Sequence, residues 1–414
     1  MDIDRARLSR IPALAGAALL LTGCATVIAP RIIAPQPGGL QRALSKSRAG
    51  TLSLEDIDAY ISAHRRFDVG PPPATLSVAV VPPGRYRMMF GNRQPADCMA
   101  LYLIGAAQAR LQEAIDRVCR AEHHITAAKH GAAAGRPLSC TPPPLSPATL
   151  QSYRTSIAAL RGEHRPRGTV ILLPGYGIGK LSMLPWALLL GRAGYQSILV
   201  DMRAEGQSTG RSITYGALES TDLVQLVPAL RRAGLIRGRL GLLGDSMGAA
   251  TALLAAPHIP DLHAVVAISP YPRATTAIPR YARLAYWYAH LVPSWSWKAA
   301  QRKAGRIAGV SLAEAAPIET VSEIHAPVLY VQGGRDRVIS SQEAHRLAAR
   351  TPDSDLLMYP TLGHLQLSED YAQLAQPVID WYNRHLAQVS RQAPPPKTGP
   401  PPRGSFPLTV CVHY

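Results

Sequence analysis

From about residue 150 onward the chain alternates between apolar runs of strand length and amphipathic runs of helix length. Thr169 to Leu173 is β-branched and apolar at consecutive positions, the pattern of a strand buried on both faces. A helix is predicted over Leu181 to Arg192, a strand over Gln196 to Val200 and an amphipathic helix over Leu218 to Arg232. Arg239 to Leu243 reads as a short strand, and a small-residue helix follows through Ala256. Strands at Ala264 to Ile268, Pro327 to Val331 and Leu356 to Met358 then alternate with helices at Gln342 to Ala349 and Tyr371 to His385. This order predicts an α/β fold, a mostly parallel central sheet with helices on both faces. Ligands of such sheets bind at the carboxyl ends of the strands.

Two stretches depart from the alternation. Between strands, about 270–322 is far longer than a usual connection and contains Tyr286, Trp287, Tyr288, Trp295 and Trp297. It is expected to be an inserted, mostly helical cap, its aromatic residues chiefly packing the cap onto the body. The alternative is that they line an acyl pocket or touch lipid. The other stretch is an N-terminal extension, 24–150. There a helix is expected over Leu54 to Arg65, a hairpin from Leu76 to Val81 and Arg85 to Phe90 around Pro82-Pro83-Gly84, and a helix over Ala100 to Ala121. The main domain is expected over 151–390, and 391–414 reads as a proline-rich tail.

Candidate chemistry lies at strand ends. Gly244-Asp245-Ser246-Met247-Gly248 has the G-x-S-x-G pattern of a nucleophile on a sharp strand-to-helix turn. The glycines give the turn the space a side chain would fill, and the following helix turns its positive end toward the serine. A serine nucleophile needs a base and an orienting acid. Asp336, in Gly333-Gly334-Arg335-Asp336-Arg337-Val338, and His364, in Leu362-Gly363-His364, each follow a predicted strand. His345 lies within a helical pattern and His325 precedes a strand, so both are poorly placed. In order and spacing, P-G-Y-G, D-M-R-A-E-G-Q-S, G-D-S-M-G, G-G-R-D-R-V and L-G-H resemble the α/β-hydrolase family across about Thr169 to His385. The resemblance implies that Ser246 is the nucleophile, His364 the general base and then acid, and Asp336 the group that orients it. It implies an oxyanion hole of the Tyr176 and Met247 backbone N–H groups. Pro174 stands where the family often has histidine. Asp201, Arg203, Gly206 and Ser208 resemble a structural turn and are expected to brace a loop. No metal-ligand cluster is apparent, Lys180 lacks the frame of a phosphate loop, and no cofactor is expected.

Arg5, Arg7 and Arg10 precede the apolar run Ile11 to Thr22, which is short for a membrane-spanning helix and matches a signal peptide over 1–23. Leu21-Thr22-Gly23-Cys24 resembles the lipobox of bacterial lipoproteins, which implies lipidation at Cys24. Ala25 after it favours the outer membrane, facing the periplasm. In that oxidising compartment Cys98, Cys119, Cys140 and Cys411 are candidates for two disulfides, with the pairing open. The net charge of +17 is spread without a dense basic run. No motif for nucleic acid is found. These readings converge on a lipid-anchored serine hydrolase acting on a small or lipid-like acyl substrate, carboxylic ester first. A peptidase, an acyltransferase and a non-catalytic envelope scaffold are the alternatives.

Overall fold

The computed structural model describes residues 25–37, 60–84, 88–90, 165–386 and 408–410. Its center is an eight-stranded sheet. In chain order the strands of the described residues are β1 (Gln36–Pro37), β2 (Ala63–Val69), β3 (Ala74–Val81), β4 (Met88–Phe90), β5 (Gly168–Leu173), β6 (Gln196–Val200), β7 (Glu205–Gly206), β8 (Arg239–Asp245), β9 (Leu262–Ile268), β10 (Val328–Gly333), β11 (Ser354–Tyr359) and β12 (Leu408–Val410). The spatial order of the main sheet is β11-β10-β9-β8-β5-β6-β3-β2. The six strands from β11 to β6 run parallel, and β3 and β2 complete the sheet in antiparallel pairing.

The helices are α1 (25–32), α2 (Leu184–Arg192), α3 (Ala217–Arg232), α4 (Met247–Ala255), α5 (Ala274–Ala285), α6 (Ser294–Ala308), α7 (Pro317–Thr320), α8 (Ser341–Arg350), α9 (His364–Glu369) and α10 (Tyr371–His385). Alternate strand residues supply two cores. Val170, Leu172, Leu199, Leu243 and Val331 pack with Trp186 and Leu190 of α2 and Val378 and Tyr382 of α10. Ile171, Leu173, Ile198, Leu242 and Tyr330 pack with Leu226 and Leu230 of α3, Leu253 of α4 and Leu347 of α8. Each such side chain contributes roughly 1.5–3 kcal/mol on burial, which is why these strands read as continuous apolar runs.

Two expectations for the N-terminal region change. Ala63–Val69 is a strand, so the helix expected over Leu54 to Arg65 does not extend to its end; full antiparallel pairing with β3 outweighs a weak helical period. The hairpin joins β2 and β3 through Gly70–Pro73 rather than turning at Pro82-Pro83-Gly84. With β2 on one side and β6 on the other, β3 has no edge left for Arg85 to Phe90. Met88–Phe90 instead pairs in parallel with Leu408–Val410. The expected helix over Ala100 to Ala121 lies outside the described residues. The cap is helical, as its long interval suggested: α5, α6 and α7 with a short 3₁₀ turn at Trp287–Leu291.

A buried ion pair joins the sheet to the loop after β6. Lys180 Nζ lies 2.5 Å from Asp201 Oδ2 and donates to Ser77 Oγ at 3.0 Å and Gln207 Oε1 at 2.8 Å. Both side chains are almost fully buried. Asp201 also accepts the Lys180 and Gln207 N–H groups, so it braces the loop. Removing one partner would strand the other charge, at a cost of about 3–5 kcal/mol. Lys180→Met should therefore lower the urea midpoint of unfolding sharply. An unchanged midpoint would show that this pair carries no such load.

Candidate active site

Ser246 sits between β8 and α4 with φ 48° and ψ −105°. A non-glycine residue holds such a conformation only when its surroundings impose it. Here they do. A Cβ on Gly244 would overlap the Gly248 backbone, and one on Gly248 would overlap the Leu173 carbonyl. The turn thus packs directly beneath the end of β5, and the Ser246 N–H is held by the Ile268 carbonyl at 2.8 Å. Met247 opens α4, so its N–H belongs to the first turn, where no intrahelical acceptor exists.

Two further strand ends supply the partners. Ser246 Oγ lies 3.0 Å from His364 Nε2, and His364 Nδ1 lies 2.7 Å from Asp336 Oδ2. With the proton on Nδ1, the imidazole donates to Asp336 and accepts from the Ser246 hydroxyl. Asp336 Oδ1 accepts the Val338 and Ile339 N–H groups at 2.7 and 2.8 Å, and Gln332 Nε2 donates to Oδ2 at 3.1 Å. Burial acts to raise the Asp336 pKa. The hydrogen bond and charge of His364 and the two backbone donors together outweigh it and leave the carboxyl below its ordinary value. His364 begins α9, and Ser368, one turn on, donates to Asp245 Oδ1 at 2.7 Å. The residue beside the nucleophile thereby holds the helix that carries the histidine.

The loop after β5, Pro174-Gly175-Tyr176-Gly177, faces the same turn. The Gly177 N–H donates to Glu205 Oε1 at 2.6 Å. Glu205 is fully buried, and its Oε2 has no hydrogen-bond partner among the described residues. Burial pushes its pKa well above the usual carboxylate range; the Gly177 N–H opposes this, while Glu219 and Asp201 add to it. Tyr176 stacks on Tyr215 with centroids 5.4 Å apart and meets Tyr281 of the cap edge-on at 6.0 Å. Tyr215 donates to the Ile32 carbonyl at 2.6 Å, and β1 pairs with β7, which contains Glu205. The N-terminal segment therefore backs this loop from two sides.

The family described as serine aminopeptidase, S33, matches residues 164–315. The fold is that of the α/β-hydrolases. An uncharacterized Bacillus subtilis protein, YqkD, is 29% identical over 187 residues, 44% of this chain. The match spans 60% of that relative's length. The Pyrococcus furiosus esterase Pf2001 is 17% identical with a TM-score of 0.48, over 82% of this chain and 98% of its own. The 2,6-dihydroxy-pseudo-oxynicotine hydrolase is 14% identical with a TM-score of 0.47, over 80% of this chain and 70% of its own.

Within this α/β-hydrolase fold the structure brings Ser246, His364 and Asp336 together and sets Met247 and the Tyr176 loop beside them. Asp201 and Ser208 brace the neighboring loop, and Arg203 forms a buried two-bond pair with Asp222. His345 caps back onto the Ser341 carbonyl of its own helix. Cys24, Cys98, Cys119, Cys140 and Cys411 lie outside the described residues. Among the described residues no group of three or more His, Cys, Asp or Glu is arranged to hold a metal. The expectation that the cap aromatics chiefly pack is corrected. Trp297 is buried, but Tyr286, Trp287, Tyr288 and Trp295 are exposed. Glu205 and Ser368 escaped the sequence reading because their partners are brought in by the fold, and Gln332 because the path of its own loop turns it toward Asp336. The only signal for Glu205 was its place in D-M-R-A-E-G-Q-S.

If Glu205 holds the loop as a neutral acid, Glu205→Gln should keep turnover within severalfold. Glu205→Ala, which leaves the Gly177 N–H unpaired, should lower kcat by about tenfold or more. Unfolded, Glu205 ionizes near about 4.3, while the fold retains its proton to higher pH. The folded state then binds more protons above that value, so this contribution to stability falls as pH rises. The Tm of Glu205→Gln should accordingly decline less steeply from about pH 5 upward than that of the native chain. Parallel profiles would mean that Glu205 is ionized in the fold.

Proposed function

We propose that this protein is a serine hydrolase that cleaves a carboxylic ester through an acyl-enzyme intermediate in the bacterial cell envelope. The observation that carries the reading is the continuous relay from Ser246 Oγ through His364 to a buried Asp336. Ser246 Oγ attacks the substrate carbonyl while His364 Nε2 takes its proton. The tetrahedral oxyanion is held by the Met247 and Tyr176 N–H groups. His364 then gives the proton to the leaving alkoxide, and the C–O bond breaks. Water enters, loses a proton to His364 and attacks the acyl-enzyme; the acid is released as Ser246 regains its proton. Asp336 keeps its charge throughout, stabilizing the imidazolium that forms in each half.

A peptide bond is the second reading, favored by the serine aminopeptidase description of the family that matches 164–315. The same steps apply, with an amine as leaving group. The envelope assignment is supported by the basic start, the apolar run and the sequence ending at Cys24.

A fluorophosphonate should label the native chain and leave Ser246→Ala unlabeled. Paired aryl ester and aminoacyl arylamide substrates then separate the two readings by their relative kcat/KM. A folded native chain that is neither labeled nor active would favor a scaffold. For the anchor, an alkyne-bearing palmitate should be incorporated in cells into the native chain and not into Cys24→Ser. An unlabeled native chain would remove the lipoprotein assignment.

A further inference from the structure

The cap carries an exposed face that the catalytic reading does not use. Trp287 is 77% exposed and Leu291 is 74% exposed. Tyr288 and Trp295 beside them are also exposed. Large apolar groups gathered at one exposed site mark an interaction surface rather than a solvated one. The face continues along α6, where Trp295, Lys298, Arg302 and Arg306 recur at helical spacing and all point to solvent. The opposite side of α6 is buried through Trp297, Ala300 and Ala304. Among the described residues Lys298, Arg302 and Arg306 make no ion pair. From Arg273 to Ala313 the chain has seven lysines and arginines and no carboxylate.

The position of this face relative to the chain start is equally specific. Helix α1 shares the apolar cluster of the cap, with Ala25 and Ala29 grouped with Ala300 and Ala304. Lys303 Nζ donates to Thr26 Oγ1 at 2.9 Å. Cys24 is bonded directly to Ala25. The residue that would carry an acyl group thus directly precedes a helix held against α6. The cap also borders the site through Tyr281 and Tyr176.

We infer that the exposed face of Trp287, Tyr288, Leu291, Trp295 and the α6 cations docks on an anionic lipid surface. Aromatic and leucine side chains enter the headgroup boundary, while lysine and arginine meet lipid phosphates. Exposed tryptophan favors this occupant because its ring is apolar and its N–H remains satisfied at the interface. In its orientation at the envelope the inference rests on the reading given above, but the surface itself is independent of acylation and of catalysis.

The test uses the unacylated chain from residue 24 with Cys24→Ser, which retains every described residue. It is mixed with vesicles of phosphatidylcholine alone or with added phosphatidylglycerol. The expected result is flotation with the anionic vesicles, loss of binding at high salt and a blue shift of tryptophan emission. Trp186, Trp297 and Trp381 are buried, so the shift would report Trp287 and Trp295. Trp287→Ser/Leu291→Ser and, separately, Lys298→Glu/Arg302→Glu should each lower the partition coefficient by about tenfold or more. Unchanged Tm and fluorophosphonate labeling would establish that these exposed positions leave the fold and the serine site intact. No flotation, or flotation indifferent to both variants, overturns the inference. So does a dimer that the tryptophan–leucine variant dissociates without any lipid binding, which would make the face a contact between copies. Acylation is read separately by palmitate labeling, so a failed anchor and a failed surface are distinguishable.

Discussion

The site depends on one close backbone approach, that of the turn at Gly244–Gly248 beneath the carbonyl of Leu173. No side chain fits at either glycine. The approach sets the ends of β5 and β8 against each other, and three consequences follow. Ser246 is held in a conformation it would not choose. The first N–H of α4 is aimed beside it. Asp245 is carried to where Ser368 can bind it, which fixes the helix that begins with His364. A side chain at either glycine would disturb Ser246, the Met247 N–H and the helix that carries His364 together.

The buried carboxylates around this turn are sorted by how many donors reach them. Asp336 receives two backbone N–H groups, His364 and Gln332. Asp201 receives Lys180 twice and Gln207 once, and Glu219 is bound by Thr214 and Gly216. Among the described residues Glu205 receives the Gly177 N–H alone. At Asp336 the donors and the His364 charge outweigh burial, whereas at Glu205 burial outweighs the Gly177 N–H. Carboxyl groups of one chemistry are thus pushed down at Asp336 and up at Glu205 by what surrounds them. The difference lies in the donors and charges that the fold places around each carboxyl, His364 foremost at Asp336.

Residues 25–37 link parts that are distant in sequence. They share the cap's apolar cluster, accept a hydrogen bond from Tyr215 and pair with the strand that bears Glu205. Residues 25–37, the cap and the Tyr176 loop are therefore packed as one unit. The exposed aromatic and cationic face lies on that unit, so an interaction there would bear on the same packing that supports the site.

Local pattern was enough to locate the parallel strands, the helices between them, and Ser246, Asp336 and His364 as candidates. Each lies in a short motif whose turn chemistry follows directly from neighboring residues. The N-terminal hairpin was not legible in the same way, because Gly70–Pro73 and Pro82-Pro83-Gly84 punctuate the chain equally well. Only the vacant place beside β6 decided which turn closes the hairpin. Glu205 and Ser368 could not be read as a support, since a sequence shows neither burial nor partners 28 or 123 residues away. Nor could the composition of the cap show which aromatics are covered, because that is set by the side of α6 turned to the body. By itself the sequence determined the order of elements and the residues with the chemistry to react, because strand and turn preferences act over a few neighbors. Tertiary structure decided the burial of Glu205, the support of the Tyr176 loop and the exposure of the cap face, because desolvation and packing depend on what the fold brings near.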